Sequence, residues 1–149
     1  MANHLRRQIR EEVAVNLLTG LSTTGSNVFQ SHVYPLENAD LPCLCVYTQE
    51  EEIEVGAMGD PRICESTLTL MVDGYAQHAS TLDDVLDDIG KEVQVAMASD
   101  VGINNLVVDS YLSNVDISYS GEGNVSTGLI RHNYSVLYRY AENAPDVAK

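Results

Sequence analysis

The chain has 149 residues, a length that supports one compact domain with a real core. Its 22 acids against eight Lys and Arg give a formal net charge of −14, which argues against general nucleic-acid affinity, because phosphate binding needs clustered cations. No apolar run reaches the roughly 18–20 residues with which a helix spans a bilayer.

Residues 4–19 read as an amphipathic helix. Leu5, Ile9, Val13 and Leu17 recur every four positions, and Gly20 supplies a left-handed stop. Arg6, Arg7 and Arg10 cluster in this helix, where positive charge opposes the N-terminal dipole. That placement suggests a contact: a basic patch meeting an acidic one across a subunit boundary. The ordinary alternative is a solvated helix face. Because the basic residues lead into Glu11 and Glu12 rather than an apolar core, no signal peptide is expected and the protein is expected to be made in a cytoplasm. Three cysteines agree with a reducing compartment.

Val28–Tyr34 reads as a strand ended by Pro35, and Cys43–Thr48 as a central strand. Its continuation through Glu50, Glu51, Glu52 and Glu54 is acidic and is expected to leave the core. After turn residues 56–61, Arg62–Ala76 returns with Leu68, Leu70 and Val72 on one face and Thr67, Thr69 and Met71 on the other. The pair predicts a hairpin projecting beyond the sheet. Its acids form either an edge that blocks aggregation or an arm that docks on a neighbour.

Residues 81–98 form the clearest helix, with a Thr81/Asp84 capping box and the apolar stripe Leu82, Val85, Leu86, Ile89, Val93, Ala96 and Met97. Asp83, Asp84, Asp87 and Asp88 lie off the stripe. Leu106–Tyr119 predicts a strand with Val107, Tyr111, Val115, Ile117 and Tyr119 on one face. A flexible turn at 120–124 precedes the last strand, Leu129–Tyr140, which sets Ile130, Tyr134, Val136, Tyr138 and Tyr140 against Arg131, Asn133, Ser135 and Arg139. Residues 141–149 read as a flexible tail. The sum is a single α+β domain with its core at about 4–140, in which two helices pack a mostly antiparallel or mixed sheet.

No chemistry-bearing constellation emerges. Cys43 and Cys45 point to one strand face and with Cys64 could bind zinc, but the spacing fits buried packing better. His4, His32, His78 and His132 are scattered, His32 and His132 as sheet-surface residues and His78 in the loop before the second helix. No nucleophile elbow, phosphate loop or calcium loop is present. Neither catalytic residue, metal nor cofactor is expected, and the protein is not expected to be an enzyme.

The segment order resembles the tail terminator proteins of long-tailed bacteriophages, the family of the lambda minor tail protein U. The matching places are Arg6–Leu18, Asn27–Tyr34, Leu41–Tyr47 with the acidic Gln49–Glu54, Leu68–Tyr75 leading into the Asp-rich helix, and Leu129–Arg139. The resemblance covers roughly residues 5–140 and carries no short diagnostic motif. It implies a structural virion protein forming a homohexameric ring that caps the tail tube, stops its polymerisation and joins the neck. It implies tail tube and head-completion partners, and genome DNA passing through the lumen without specific binding. Arg6, Arg7, Arg10, Glu50, Glu51, Glu52, Glu54, Arg131 and Arg139 are the expected interface residues. Charge reversal at Arg6, Arg7 and Arg10 is expected to weaken assembly without unfolding the monomer. A different neck or tail-tube ring protein is the nearest alternative, and a small cytoplasmic binding domain a more remote one.

Overall fold

The computed structural model describes residues 3–25, 27–30, 42–78, 80–122 and 125–149. Helix α1 spans Leu5–Glu12 and runs on as a wide π turn, Val13–Leu17. It is followed by β1 (Val28–Phe29), β2 (Cys43–Ala57), β3 (Ile63–His78), α2 (Leu82–Ala98), β4 (Asp109–Glu122) and β5 (Val125–Ala141). The strands form one sheet in the order β1-β2-β3-β5-β4. β1 is parallel to β2 and every other pairing is antiparallel. Both helices pack on the same face, which gives the α+β architecture read from the sequence. His32, Pro35 and the rest of 31–41 lie outside the described residues, as do positions 123 and 124 of the expected turn.

The core lies between the helices and that sheet face. Alternation carries it: Leu68, Leu70 and Val72 of β3 and Ile130, Tyr134, Val136 and Tyr138 of β5 point under α2 and α1, where all are buried. The opening helix departs from its four-residue spacing. In the π turn the Leu18 amide donates to Val13 O at 3.0 Å, which stacks Leu18 rather than Leu17 over Val13. Leu18 is fully buried and Leu17 only half-buried. Thr81 occupies the cap position of α2, but its side chain makes no capping bond.

Three bulges change which side chains face the helices, two in β2 and one in β4. The second in β2, between Val55 and Ala57, leaves Gly56 as an extra residue near the end of the strand. In β2 the register shifts between Thr48 and Glu50, so Gln49 is the extra residue. Leu44, Val46 and Thr48 face the helices before it, and Glu51, Ile53 and Val55 after it. In β4 the shift between Leu112 and Asn114 acts likewise. Tyr111 therefore sits on the opposite face from Val115, Ile117 and Tyr119, which simple alternation had grouped together. The β2–β3 hairpin also projects less than expected, because β3 pairs with β5 along its whole length, from Ile63↔Ala141 to His78↔Ser126. His78 belongs to the end of β3 rather than to a loop.

His132 is fully buried beneath α2, not on the sheet surface. Its Nδ1 lies 3.2 Å from Val72 O, and its Nε2 has no partner among the described residues. Burial lowers its pKa from the ordinary 6.5, against smaller upward pulls from Val72 O and Asp73. The unfolded chain therefore takes up a proton below about pH 6.5 that the folded chain resists, so stability falls as pH drops through that value. Denaturant titrations from pH 7.5 to 5.5 should show this loss, and the His132→Leu variant should show a shallower slope.

Glycine sets how closely α2 approaches the sheet. A Cβ on Gly74 would lie 2.7 Å from Ile89 Cγ2 and 3.0 Å from Ile130 Cγ2, both on stiff β-branched side chains. Gly74→Ala is expected to destabilise the fold by about 1–3 kcal/mol through overpacking, measured as a lower denaturation midpoint at unchanged m-value.

The C-terminal residues, read as a loose tail, are tied back to the domain. Glu142 N donates to Arg62 O, Leu5 N to Pro145 O and Lys149 N to Arg139 O, at 2.9–3.0 Å. Gln8 Nε2 donates to Asp146 O at 2.9 Å, and Ala148 packs on the core. The backbone groups exposed at the start of α1 thus find acceptors in this segment.

Candidate functional site

The nine charged residues singled out from the sequence divide into three settings. The first is a buried hub. The β2 bulge turns Glu51 inward, where its side chain is 6 % exposed and lies 2.6 Å from Arg6 Nη1. Ser66 Oγ and Tyr138 Oη both donate to Glu51 Oε1. Burial pushes the Glu51 carboxyl upward, but these two hydroxyls and the Arg6 charge outweigh it and hold the carboxyl below its usual value. Burial and the Glu51 hydrogen bond push the Tyr138 hydroxyl well above the ordinary tyrosine value. Arg6 and Glu51 thus fasten α1 to the sheet. Reversing all three arginines would set a carboxylate against Glu51, so a loss of monomer stability is expected beside any loss of assembly.

The second setting is an ion pair on the helix-free face. Asp73 is 1 % exposed, and Arg131 grips it with two bonds, Nε to Oδ1 at 3.0 Å and Nη2 to Oδ2 at 3.1 Å. Tyr47 Oη donates to Asp73 Oδ2 at 2.8 Å, and burial with this bond pushes the Tyr47 hydroxyl well up. Nothing in the local sequence linked residues 58 positions apart; only the β3–β5 register makes Asp73 and Arg131 cross-strand neighbours. Cys43 and Cys45 lie buried on this same face. A hydrogen bond from the Cys43 thiol holds the Cys45 thiol down despite burial. Cys64 faces the helices farther along the sheet, opposite Val55 and Tyr140, so the three sulfurs do not converge.

The third setting is the surface. Glu50, Glu52 and Glu54 are exposed on the helix-free face, beside Glu65, which forms a 3.0 Å ion pair with Arg139. Arg7 pairs with Glu11 one turn on, at 2.8 Å, and Arg10 Nε reaches Gln30 Oε1 at 3.4 Å, just past β1. His4 accepts the Arg6 amide at the start of α1 and contributes no charge cluster. Exposed apolar side chains gather on β4, at Tyr111, Ile117 and Tyr119, with Val108 just before it. Exchanging Glu50, Glu52 and Glu54 together for Ser should leave thermal stability nearly unchanged, within about 0.5 kcal/mol per site.

No protein-family model matches the sequence, and no curated protein does. Solved structures similar in outline exist. One is a chain of the virion of a native gene transfer agent particle, with 9% sequence identity and a TM-score of 0.43, covering 90% of this chain and 95% of that one.

Proposed function

We propose that this chain is a structural virion protein of the tail terminator type, a subunit of a homohexameric ring that caps the tail tube, halts its growth and presents the surface to which the neck joins. The observation that carries the reading is the helix-free sheet face. Glu50, Glu52, Glu54, Glu65, Asp109 and Asp116 stand exposed on it, and its two cations, Arg131 and Arg139, are engaged by Asp73 and Glu65. Such a face turned toward a lumen repels passing DNA. The resemblance in segment order from α1 to β5 supports the same reading, and among the described residues Cys43, Cys45, Cys64 and His132 are buried in packing. Partners are other copies of the chain, a tail tube protein and a head-completion protein.

The test is negative-stain imaging of the purified protein, alone and mixed with tail tubes of its phage. Rings, or caps at one end of tubes of fixed length, are expected. Tubes that stay undecorated and keep growing would refute the reading. Caps at both ends or along the tube would favour a tube or neck subunit.

A further inference from the structure

We infer that a second copy of this chain docks over the bare end of β4, setting Arg10 and Arg7 of its α1 against Asp83 and Asp87 of α2 and Tyr119 of β4. The inference rests on the ring reading and names the contact through which the ring closes.

Helix α2 packs on β3 and β5, and β4 lies beyond it at the end of the sheet. On the helix side of β4, Ile117 and Tyr119 are 46 % and 55 % exposed. The strand contains no Lys, Arg or Pro, the residues that usually protect an open edge. The rim of this uncovered strip is acidic. The Tyr119 hydroxyl lies near Asp83 and, one helical turn on, Asp87, and these carboxylates push its pKa up. Asp83, Asp84, Asp87 and Asp88 are all exposed, and among the described residues none forms an ion pair.

Lys91, one turn beyond Asp87 and Asp88, forms no ion pair with them among the described residues, and the arginines to match this rim sit at the opposite end of the sheet. Helix α1 rests on β2, and Arg10 points past β1 toward Gln30. Of the other arginines, Arg6, Arg62, Arg131 and Arg139 are held by Glu51, Glu142, Asp73 and Glu65. Arg10 is not paired with an acid among the described residues, and Arg7 pairs only with Glu11 of its own helix. A surface with its cation at one end and its acids at the other associates head to tail, the geometry that closes into rings. The guanidinium groups would lie over the Tyr119 ring, and their aliphatic stems over Ile117. A strand-to-strand contact between copies is disfavoured, since it would bring Glu50, Glu52 and Glu54 of β2 beside Asp109 and Asp116 of β4.

The test uses two full-length variants, D83K/D87K and R7E/R10E, with Arg6 left in place. Circular dichroism establishes that each is folded, and D83N/D87N and R7Q/R10Q replace any that is not. Light scattering and native mass spectrometry then read self-association at low salt. Wild type is expected to associate, and each variant alone to associate at least about tenfold more weakly. Mixing the two charge-reversed variants is expected to restore assembly as alternating rings, because each reversed face meets a reversed partner while the other contact is unchanged. With the neutral pair, the added weakness is expected to disappear as salt is raised. Variants that associate like wild type, a mixture that restores nothing, or a wild type that stays monomeric would each overturn the inference. Loss of tube capping with self-association intact would also overturn it, since the acids would then receive a different protein. Failure of wild type to cap tubes bears instead on the ring-terminator reading, and leaves a measured self-association standing.

Discussion

Replacing Glu51 by Ala is expected to lower stability by about 3 kcal/mol, the largest effect of any acid in the 50–54 run. The loss has two sources. Arg6, half-exposed, recovers water when its partner goes, so the broken ion pair contributes modestly. The Ser66 and Tyr138 hydroxyls do not recover water, because both residues are buried and each loses its acceptor. In a chain of this size the change corresponds to a fall in Tm of roughly 6–12 °C. The dependence on pH follows from the depressed carboxyl. Its stabilisation is complete above the ordinary value of 4.5 and is lost as pH falls through the lower folded value. Glu51→Ala should therefore lose most at neutral pH and less in acid, where the protonated Glu51 of wild type still accepts from Ser66 and Tyr138 but its charge-dependent share is gone. An equal loss in the Glu50→Ala variant would refute the inward placement of Glu51 alone.

Arg131→Ala is expected to cost about 3 kcal/mol or more, and more than removal of its partner. Without Arg131 the Asp73 carboxylate stays buried, with the Tyr47 hydroxyl as its remaining side-chain donor. Without Asp73 the partly exposed guanidinium turns to solvent. The asymmetry makes a sharp test. Adding Asp73→Asn to the Arg131→Ala protein should restore about 1–2 kcal/mol, because the uncompensated charge is gone, while Asp73→Asn alone should destabilise wild type. Urea titrations of the four proteins complete the cycle. Strict additivity would show that the two side chains do not act as a pair.

Much of this fold is legible in the sequence because period and burial agree. The stripe of α2 and the alternation of β3 and β5 predict the core face that the structure shows. The misses have particular causes. In β2 the apolar parity changes from Leu44 and Val46 to Ile53 and Val55, and in β4 from Leu112 to Val115 and Ile117; each change marks a bulge, and each was hidden by a polar neighbour. His132 was placed on the surface by residue type, although its neighbours Ile130 and Tyr134 already assign its position to the buried face. The wide turn at Val13 leaves no mark in the sequence, because Leu17 continues the four-residue spacing while Leu18, five residues from Val13, is equally apolar. Of the candidate contact residues, the sequence shows which are charged. Which of them are already neutralised inside the chain depends on register and on α1 crossing β2, neither of which is a local property.

The three bulges also divide the strands by their tolerance of length change. Gln49, Gly56 and Ser113 are supernumerary in their ladders, so a chain lacking any one of them would keep every later side chain on its present face and lose only local twist. β3 and β5 pair residue for residue from end to end and hold no such slack. Loss of one residue there would invert everything beyond it, sending the acids inward and the core outward. Single-residue deletions should therefore be accepted at three addresses in the strands that flank the central pair and rejected throughout that pair.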